Sequence, residues 1–257
     1  MIISLAERLK GIKPYYFVKK LEQIRQYSQE GKDVINFGIG SPDLPPSEKA
    51  LSALVKTALH PSSHGYQPYR GIEELRTGIA TWYQNTYGVT IDPATEVLPL
   101  MGSKEGILHL TLAFVNVGDE ILAPNPGYPT YTSLSRLLGA EVRYYDLKEE
   151  NDWYPDFEAL EKQDLSNVKI MWINYPHMPT GTPARLDVFE KLVAFAKRHQ
   201  ILLCHDNPYS LVLNQDKPLS ILNVEGAKEV ALEFNSFSKS HNMAAVSYTH
   251  IRAHETR

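Results

Sequence analysis

Short apolar segments alternate with longer amphipathic segments along this sequence, and this alternation constrains the fold more than any other feature. The apolar segments predict strands at 34–37, 97–100, 119–123, 141–145, 168–173, 201–205 and 230–235. Segments with apolar residues at helical spacing predict a helix at 4–31, interrupted at Gly11 and Pro14, and helices at 47–59, 71–87, 103–114, 129–138, 156–163 and 187–199. Because strands that alternate with helices form a mainly parallel sheet covered on both faces, we predict an α/β fold.

The composition narrows the classes of protein to which the chain can belong. Its 257 residues are 43% hydrophobic and 22% charged, which is typical of a globular protein. A net charge of -4 gives no electrostatic case for binding nucleic acid or an anionic membrane, and no apolar run has the length of a membrane span. The single cysteine, Cys204, and an N-terminus without the layout of a secretion signal predict a cytoplasmic protein.

Two ionisable residues directly follow predicted strands in the second half of the chain. Asp206 comes after the strand at 201–205, and Lys239 follows the strand at 230–235 among the hydroxyls of Ser236, Ser238 and Ser240. Taken alone, Asp206 is typical of a turn cap, and a lysine such as Lys239 is usually a solvated surface charge. At the ends of buried strands, an acid and a lysine together are what a pyridoxal phosphate site needs.

Two loops offer further binding groups. Gly102-Ser103-Lys104 precedes a predicted helix, whose first N–H groups can bind an anion such as a phosphate, although serine is also a common helix cap. Asn125-Pro126-Gly127-Tyr128-Pro129 is a rigid loop that could lay Tyr128 on a planar cofactor, although a buried aromatic at a turn is equally consistent with it.

Five motifs follow one another along the chain: Gly-Tyr-Gln-Pro-Tyr-Arg-Gly at 65–71, Asn-Pro-Gly-Tyr-Pro at 125–129, Pro-Thr-Gly at 179–181, Asp-Asn-Pro-Tyr at 206–209 and Ser-Phe-Ser-Lys at 236–239. They occur in the order found in class I/II pyridoxal-phosphate aminotransferases of the aspartate aminotransferase fold, and from about residue 15 to Ala245 the chain resembles that family. The resemblance implies pyridoxal 5'-phosphate as cofactor and transfer of an amino group from an amino acid to a 2-oxo acid.

The resemblance also implies roles for individual residues. Lys239 would hold the cofactor covalently and act as catalytic acid and base, Asp206 would pair with the pyridine nitrogen, and Tyr209 with the phenolic oxygen. The remaining implied contacts are Tyr128 on the ring, Ser103, Lys104, Ser236 and Ser238 around the phosphate, Tyr66 at the phosphate of the neighbouring subunit in a homodimer, and Gly40 near the substrate carboxylate. No metal ligand set is implied.

The sequence departs from the family pattern in two places. Met178 stands where the family has an asparagine that bonds the phenolic oxygen, and a thioether cannot donate a hydrogen bond, so either Tyr209 acts alone or His177 helps. The arginine motif after the lysine and the small C-terminal domain are also missing. We therefore expect residues 1–40 to be an N-terminal helical segment, residues 41–245 an incomplete cofactor-binding domain, and residues 246–257 a non-native tail.

Other functions share these residues. A pyridoxal-phosphate carbon–sulfur lyase would use the same groups and would differ only in what leaves after proton abstraction. A non-enzymatic cofactor-binding module would lack a catalytic role altogether. Because the phosphate arginine is absent, we expect residues 1–257 alone to be a poor catalyst.

Overall fold

The computed structural model describes residues 3–10, 16–36, 42–212 and 217–244, in two compact units, Met1–Asp43 and Leu44–Arg257. In the first unit, Glu7–Leu9 form a 3-10 helix and Tyr16–Gln29 form helix α1. The predicted helix at 4–31 is thus two separate helices, and the interruption expected at Gly11 and Pro14 lies outside the described residues. The strand predicted at 34–37 is wrong for residues 34–36, which form no strand, and Phe37 lies outside the described residues.

The second unit contains a sheet of five parallel strands with helices between them. The strands are β1 Glu120–Asn125, β2 Glu141–Asp146, β3 Val168–Ile173, β4 Leu202–Asp206 and β5 Ala231–Phe234. The helices are α2 Glu48–Ala58, α3 Glu73–Tyr87, α4 Ser103–Phe114, α5 Pro129–Leu137, α6 Phe157–Glu161, α7 Leu186–His199 and α8 Phe237–Ser240. The strand order is β2-β1-β3-β4-β5, so the predicted α/β fold is confirmed.

The strand predicted at 97–100 is wrong, because this segment pairs with no strand in the described part of the chain. Pro99 has no N–H to donate to a ladder, which disfavours a strand at this position. Two apolar residues of the segment are nevertheless packed: Val97 is buried with Tyr83 and Tyr87 of α3, and Leu100 packs near Ile107 of α4. Leu98 is exposed. The hydrophobicity of Val97 and Leu100 therefore reflects packing rather than strand pairing.

The two faces of the sheet carry separate cores. Along β3, Met171 and Ile173 face one core together with Phe189 of α7, whereas Trp172 faces the other with Tyr131 of α5. This alternation follows from the two-residue period of a strand. Because β3, β4 and β5 are parallel neighbours, their carboxyl ends lie side by side between the two helical layers.

Gly106 brings α4 close to the sheet near this edge. A Cβ atom at Gly106 would overlap the side chains of Phe234 and Leu100, so only glycine allows this approach. The amino end of α4 is thereby held near the end of β5. Among the described residues, no helix is both long enough and apolar enough to cross a bilayer.

Candidate functional site

The polar segments that follow β4 and β5 are tied to each other at the carboxyl edge of the sheet. Asp206 is in register with Phe234, and the N–H of Asn207 donates to the Phe234 carbonyl over 2.8 Å. The Asn235 amide donates to the Asn207 carbonyl over 3.2 Å. The chain leaving the Asp206 strand is therefore fixed against the chain that leads to Lys239.

Asp206 is a buried carboxyl group with one satisfied oxygen. Its side chain ends β4, the residue is 5% exposed, and Oδ2 accepts a hydrogen bond from the Tyr131 hydroxyl at 2.7 Å. Oδ1 is buried and has no hydrogen-bond partner in the described part of the chain. Burial raises the pKa of Asp206 to about 6, while the Tyr131 bond and the neighbouring His205 lower it. An open carboxyl oxygen of this kind can accept a bond from a ligand.

Tyr131 is a contact of this site that the sequence did not predict. It lies on α5, its ring stacks on Trp172 with centroids 4.8 Å apart, and burial raises the pKa of its hydroxyl well above the ordinary value. The hydroxyl is therefore a hydrogen-bond donor to Asp206 at neutral pH. The sequence offered one signal for Tyr131. It stands three residues after Tyr128, a spacing that places both side chains near one side of the start of a helix.

Asn174 is a second residue that sequence reasoning missed. It directly follows β3 and is buried, and its amide donates to the Asp206 carbonyl over 2.7 Å while its oxygen accepts from the Met178 N–H at 2.8 Å. The Tyr209 hydroxyl in turn donates to Met178 Sδ at 3.8 Å. These bonds join the loop after β3 to the Asp206 and Tyr209 loop. The sequence signal for Asn174 was a polar residue directly after a strand, which is the same signal that identified Asp206.

His177 lies inside the protein beside these residues. It is 3% exposed, and Nδ1 is 2.7 Å from the Thr180 hydroxyl. Burial lowers the pKa of His177 to about 4, against a weaker opposing effect of the Pro126 carbonyl, so the ring is neutral at pH 7. Whether His177 helps Tyr209 at the phenolic oxygen stays a prediction.

Tyr128 and Lys104 lie together at the adjoining helix starts. Tyr128 is half-buried at the start of α5, its ring centroid is 5.5 Å from that of Tyr131, and the Lys104 ammonium lies 5.8 Å from its centroid. Ser103 begins α4. The preceding residue, Gly102, has a φ of 106°, a backbone conformation that glycine adopts readily. A chain of contacts thus leads from Lys104 through Tyr128 to Tyr131 and Asp206.

Lys239 lies one turn after β5, on the short helix α8. It is partly buried, as are Ser236 and Ser238, and its N–H donates to the Ser236 carbonyl over 3.2 Å. These three residues share the sheet edge with Asp206 because β4 and β5 are parallel neighbours. The lysine and the acid each follow a strand, as the sequence predicted, and the structure shows that the two strands are neighbours.

One predicted site residue, Tyr66, is not brought to this edge. Tyr66 is 96% exposed in the segment between α2 and α3, away from the contacts described above. Gly40 lies outside the described residues. The roles given to them, at a partner subunit and at the substrate carboxylate, stay predictions.

Comparison with known proteins gives the family. The model of the aminotransferase class I and II family matches residues 32–254, and the chain belongs to this family. It is 46% identical over 242 residues to an LL-diaminopimelate aminotransferase of Dehalococcoides mccartyi and 42% identical over 243 residues to that of Aquifex aeolicus. These alignments cover 94% of the chain and 62% and 63% of the relatives, so the chain spans less than two thirds of their length.

The fold comparison agrees with the family. The solved structure of substrate-bound BacF from Bacillus subtilis matches with a TM-score of 0.89 and 38% sequence identity, over 98% of this chain and 67% of that one. The cofactor of the family is pyridoxal phosphate. The site described above fits this group, because the buried, unpartnered Oδ1 of Asp206 offers an anionic acceptor for a protonated ring nitrogen.

Proposed function

We propose that this chain carries the cofactor site of a pyridoxal-phosphate-dependent aminotransferase, which moves an amino group from an amino acid to a 2-oxo acid. The observation that carries the proposal is Asp206, with one oxygen held by Tyr131 and the other buried and open. The bound cofactor would supply an electron sink for a carbanion, and an anionic acid at its nitrogen supports that chemistry.

The chain's own residues would each have a separate role in holding the cofactor. Asp206 would hold a proton on the ring nitrogen, and Tyr131 and Asn174 would keep the acid in place through its side chain and its carbonyl. Tyr128 would cover the ring, and Tyr209 would turn its hydroxyl from Met178 Sδ to the phenolic oxygen.

Lys239 would be the residue that reacts. Its amine would hold the cofactor covalently until the substrate's amino group displaces it, and the freed amine would then take the proton from the substrate's α-carbon at Nζ and return it. The hydroxyls and N–H groups of Ser103, Ser236 and Ser238, with the ammonium of Lys104, would hold the phosphate at the amino end of α4.

LL-diaminopimelate is the amino donor we propose, since both curated relatives compared above are named for it. We further propose a homodimer in the cytoplasm, in which the exposed Tyr66 reaches the partner's site. Residues 41–245 would form the cofactor-binding domain and residues 1–40 a separate segment, in keeping with the division of the chain near Asp43 and Leu44.

The test is to map where the cofactor attaches. The protein is incubated with pyridoxal phosphate, reduced with borohydride and digested, and the modified lysine is identified by mass spectrometry. We expect the label on Lys239, its loss in Lys239→Ala, and no change in a control, Lys169→Ala, at an exposed position of β3. Equal labelling of surface lysines in wild type and in Lys239→Ala would contradict the proposal.

A second assay tests the reaction itself. The cofactor-loaded protein is given LL-diaminopimelate with and without a 2-oxo acid, and the new amino acid and free ammonia are measured. Transfer requires the 2-oxo acid acceptor. Release of ammonia without an acceptor would identify elimination instead.

A further inference from the structure

A second buried carboxyl group, Glu233, lies one strand away from Asp206 on the opposite face of the sheet. Its side chain is 1% exposed. Oε1 accepts from the Tyr83 hydroxyl at 2.9 Å, and Oε2 lies 2.8 Å from the Ser220 hydroxyl, 3.0 Å from the Ile221 N–H and 2.8 Å from His205 Nδ1. Bonds from several donors favour the ionised form of a carboxyl group over its protonated form.

His205 is the partner of Glu233 on the neighbouring strand. Its side chain is fully buried, and Nε2 lies 2.9 Å from the Tyr175 carbonyl oxygen, which can only accept, so Nε2 carries a proton. An ionised Glu233 can only accept as well, and it would require a second proton, on Nδ1.

The pair joins the elements that carry the proposed cofactor site. His205 and Glu233 are register partners on β4 and β5, and their bonds reach Tyr83 of α3, the Tyr175 carbonyl after β3 and the 3-10 turn at Ile221–Asn223. Phe189 of α7 packs against the His205 ring with centroids 5.0 Å apart. Strand ends held at this point cannot shift independently.

We propose that the His205 imidazolium and the Glu233 carboxylate form a positioning unit for Asp206, fixing the strand ends that carry Asp206 and Lys239 and favouring the ionised Asp206 carboxylate. Its significance for catalysis rests on the proposed function. The charge state and its effect on Asp206 are properties of the protein without cofactor.

The titratable groups in contact with these residues come from several elements. Towards Glu233, α3 presents Tyr83 and Tyr87, and Glu233 raises the pKa of both hydroxyls in addition to burial. Towards Asp206, α5 presents Tyr131. Helix α7 contributes the Phe189 ring, and the end of β3 contributes the Tyr175 carbonyl. In the proposed state, the His205 imidazolium lowers the pKa of Asp206 against the effect of burial.

The first test is the charge state of His205, measured by nitrogen-15 NMR of the 257-residue chain without cofactor. A His205→Gln variant identifies the signal. We expect two protonated ring nitrogens for His205 from pH 6 to pH 8. One protonated and one unprotonated nitrogen in this range would overturn the proposal, and this result needs no variant to fold.

The second test is the pKa of Asp206, measured by carbon-13 NMR in wild type and in Glu233→Gln. Losing the carboxylate lets His205 become neutral, and we expect the pKa of Asp206 to rise by about one, with about tenfold weaker binding of pyridoxal phosphate. Glu229→Gln, with a side chain 70% exposed, is the control and should change neither value.

An unchanged Asp206 pKa in a folded Glu233→Gln protein would overturn the positioning role. Wild-type protein that fails to bind pyridoxal phosphate would instead contradict the proposed function, and the two NMR results would still decide this inference.

Discussion

Two buried carboxyl groups, Glu233 and Asp206, sit on neighbouring strands and differ in how their oxygens are used. Glu233 receives bonds from side chains and from a backbone N–H at both oxygens. Asp206 receives one bond, from Tyr131, and its other oxygen is buried without a partner in the described part of the chain.

The difference separates a group that holds the fold from a group that awaits a ligand. A buried charge costs several kcal/mol unless it is paired, so a carboxyl left half-satisfied lowers stability. The raised pKa of Asp206 reflects that cost. Strain of this kind at a polar group is expected where binding supplies the missing partner.

Removing Glu233, the carboxyl group whose two oxygens both have hydrogen-bond partners, should have the largest effect on stability. In Glu233→Ala, His205 is left as a buried group without its counter-ion, and Tyr83 and Ser220 lose their acceptor. We expect the free energy of unfolding to fall by about 3–5 kcal/mol. Urea denaturation measures it, with exposed Glu229→Ala as a control that should change by less than about 0.5 kcal/mol. A loss below 1 kcal/mol would remove the contrast with Asp206.

Replacing Asp206, the carboxyl group with one unbonded oxygen among the described residues, should instead raise stability at neutral pH. Because the pKa of Asp206 is raised to about 6, its contribution is lost as pH rises from the ordinary value of 3.8 through 6. The lowered pKa of His177, about 4, acts oppositely, so stability from that ring is lost as pH falls from 6.5.

Asp206→Asn separates the two effects. We expect the variant to match wild type near pH 4 and to exceed it by up to about 3 kcal/mol at pH 7, as measured by urea denaturation at several pH values. An Asp206→Asn protein that is less stable than wild type at pH 7 would show that the carboxylate is well paired without a ligand.

The same substitution should weaken cofactor binding. Asparagine cannot supply the anionic partner of a protonated ring nitrogen, so we expect pyridoxal phosphate to bind about 10–100-fold more weakly, the loss of one charge-assisted hydrogen bond. Quenching of tryptophan fluorescence measures the dissociation constant. Asp187→Asn, on the exposed start of α7, is the matched control and should leave it unchanged.

Removing the one donor to Asp206 should have the smallest effect. Tyr131→Phe keeps the stack on Trp172 and deletes the 2.7 Å bond. We expect a stability loss of about 1 kcal/mol and a further rise in the pKa of Asp206, read by carbon-13 NMR. A lower pKa in the variant would contradict the direction of the Tyr131 contribution.

Most of the sheet and its helices could be predicted because each element has a period that the sequence displays. Helix α4 and strand β3 begin and end where their patterns predict, and the other four strands differ from prediction by one or two residues at an end. The prediction of a strand at 97–100 was wrong because packing outside a sheet can also require apolar residues, and because Pro99 lacks the N–H that a strand ladder needs.

The site could be predicted only where a residue stands at a strand end. Asp206 and Lys239 have that signal, and Asn174 had it but was missed. Tyr131 and Glu233 act on their partners through contacts that depend on helix packing and on the register of β4 with β5. Strand register between distant segments is not displayed by either segment alone.

The pKa of Asp206 with and without pyridoxal phosphate, measured by carbon-13 NMR, tests the central claim most directly. If the open oxygen receives the protonated ring nitrogen, the pKa of Asp206 falls from about 6 to below the ordinary value of 3.8 when the cofactor binds. An Asp206 pKa that stays near 6 at saturating cofactor would contradict the account.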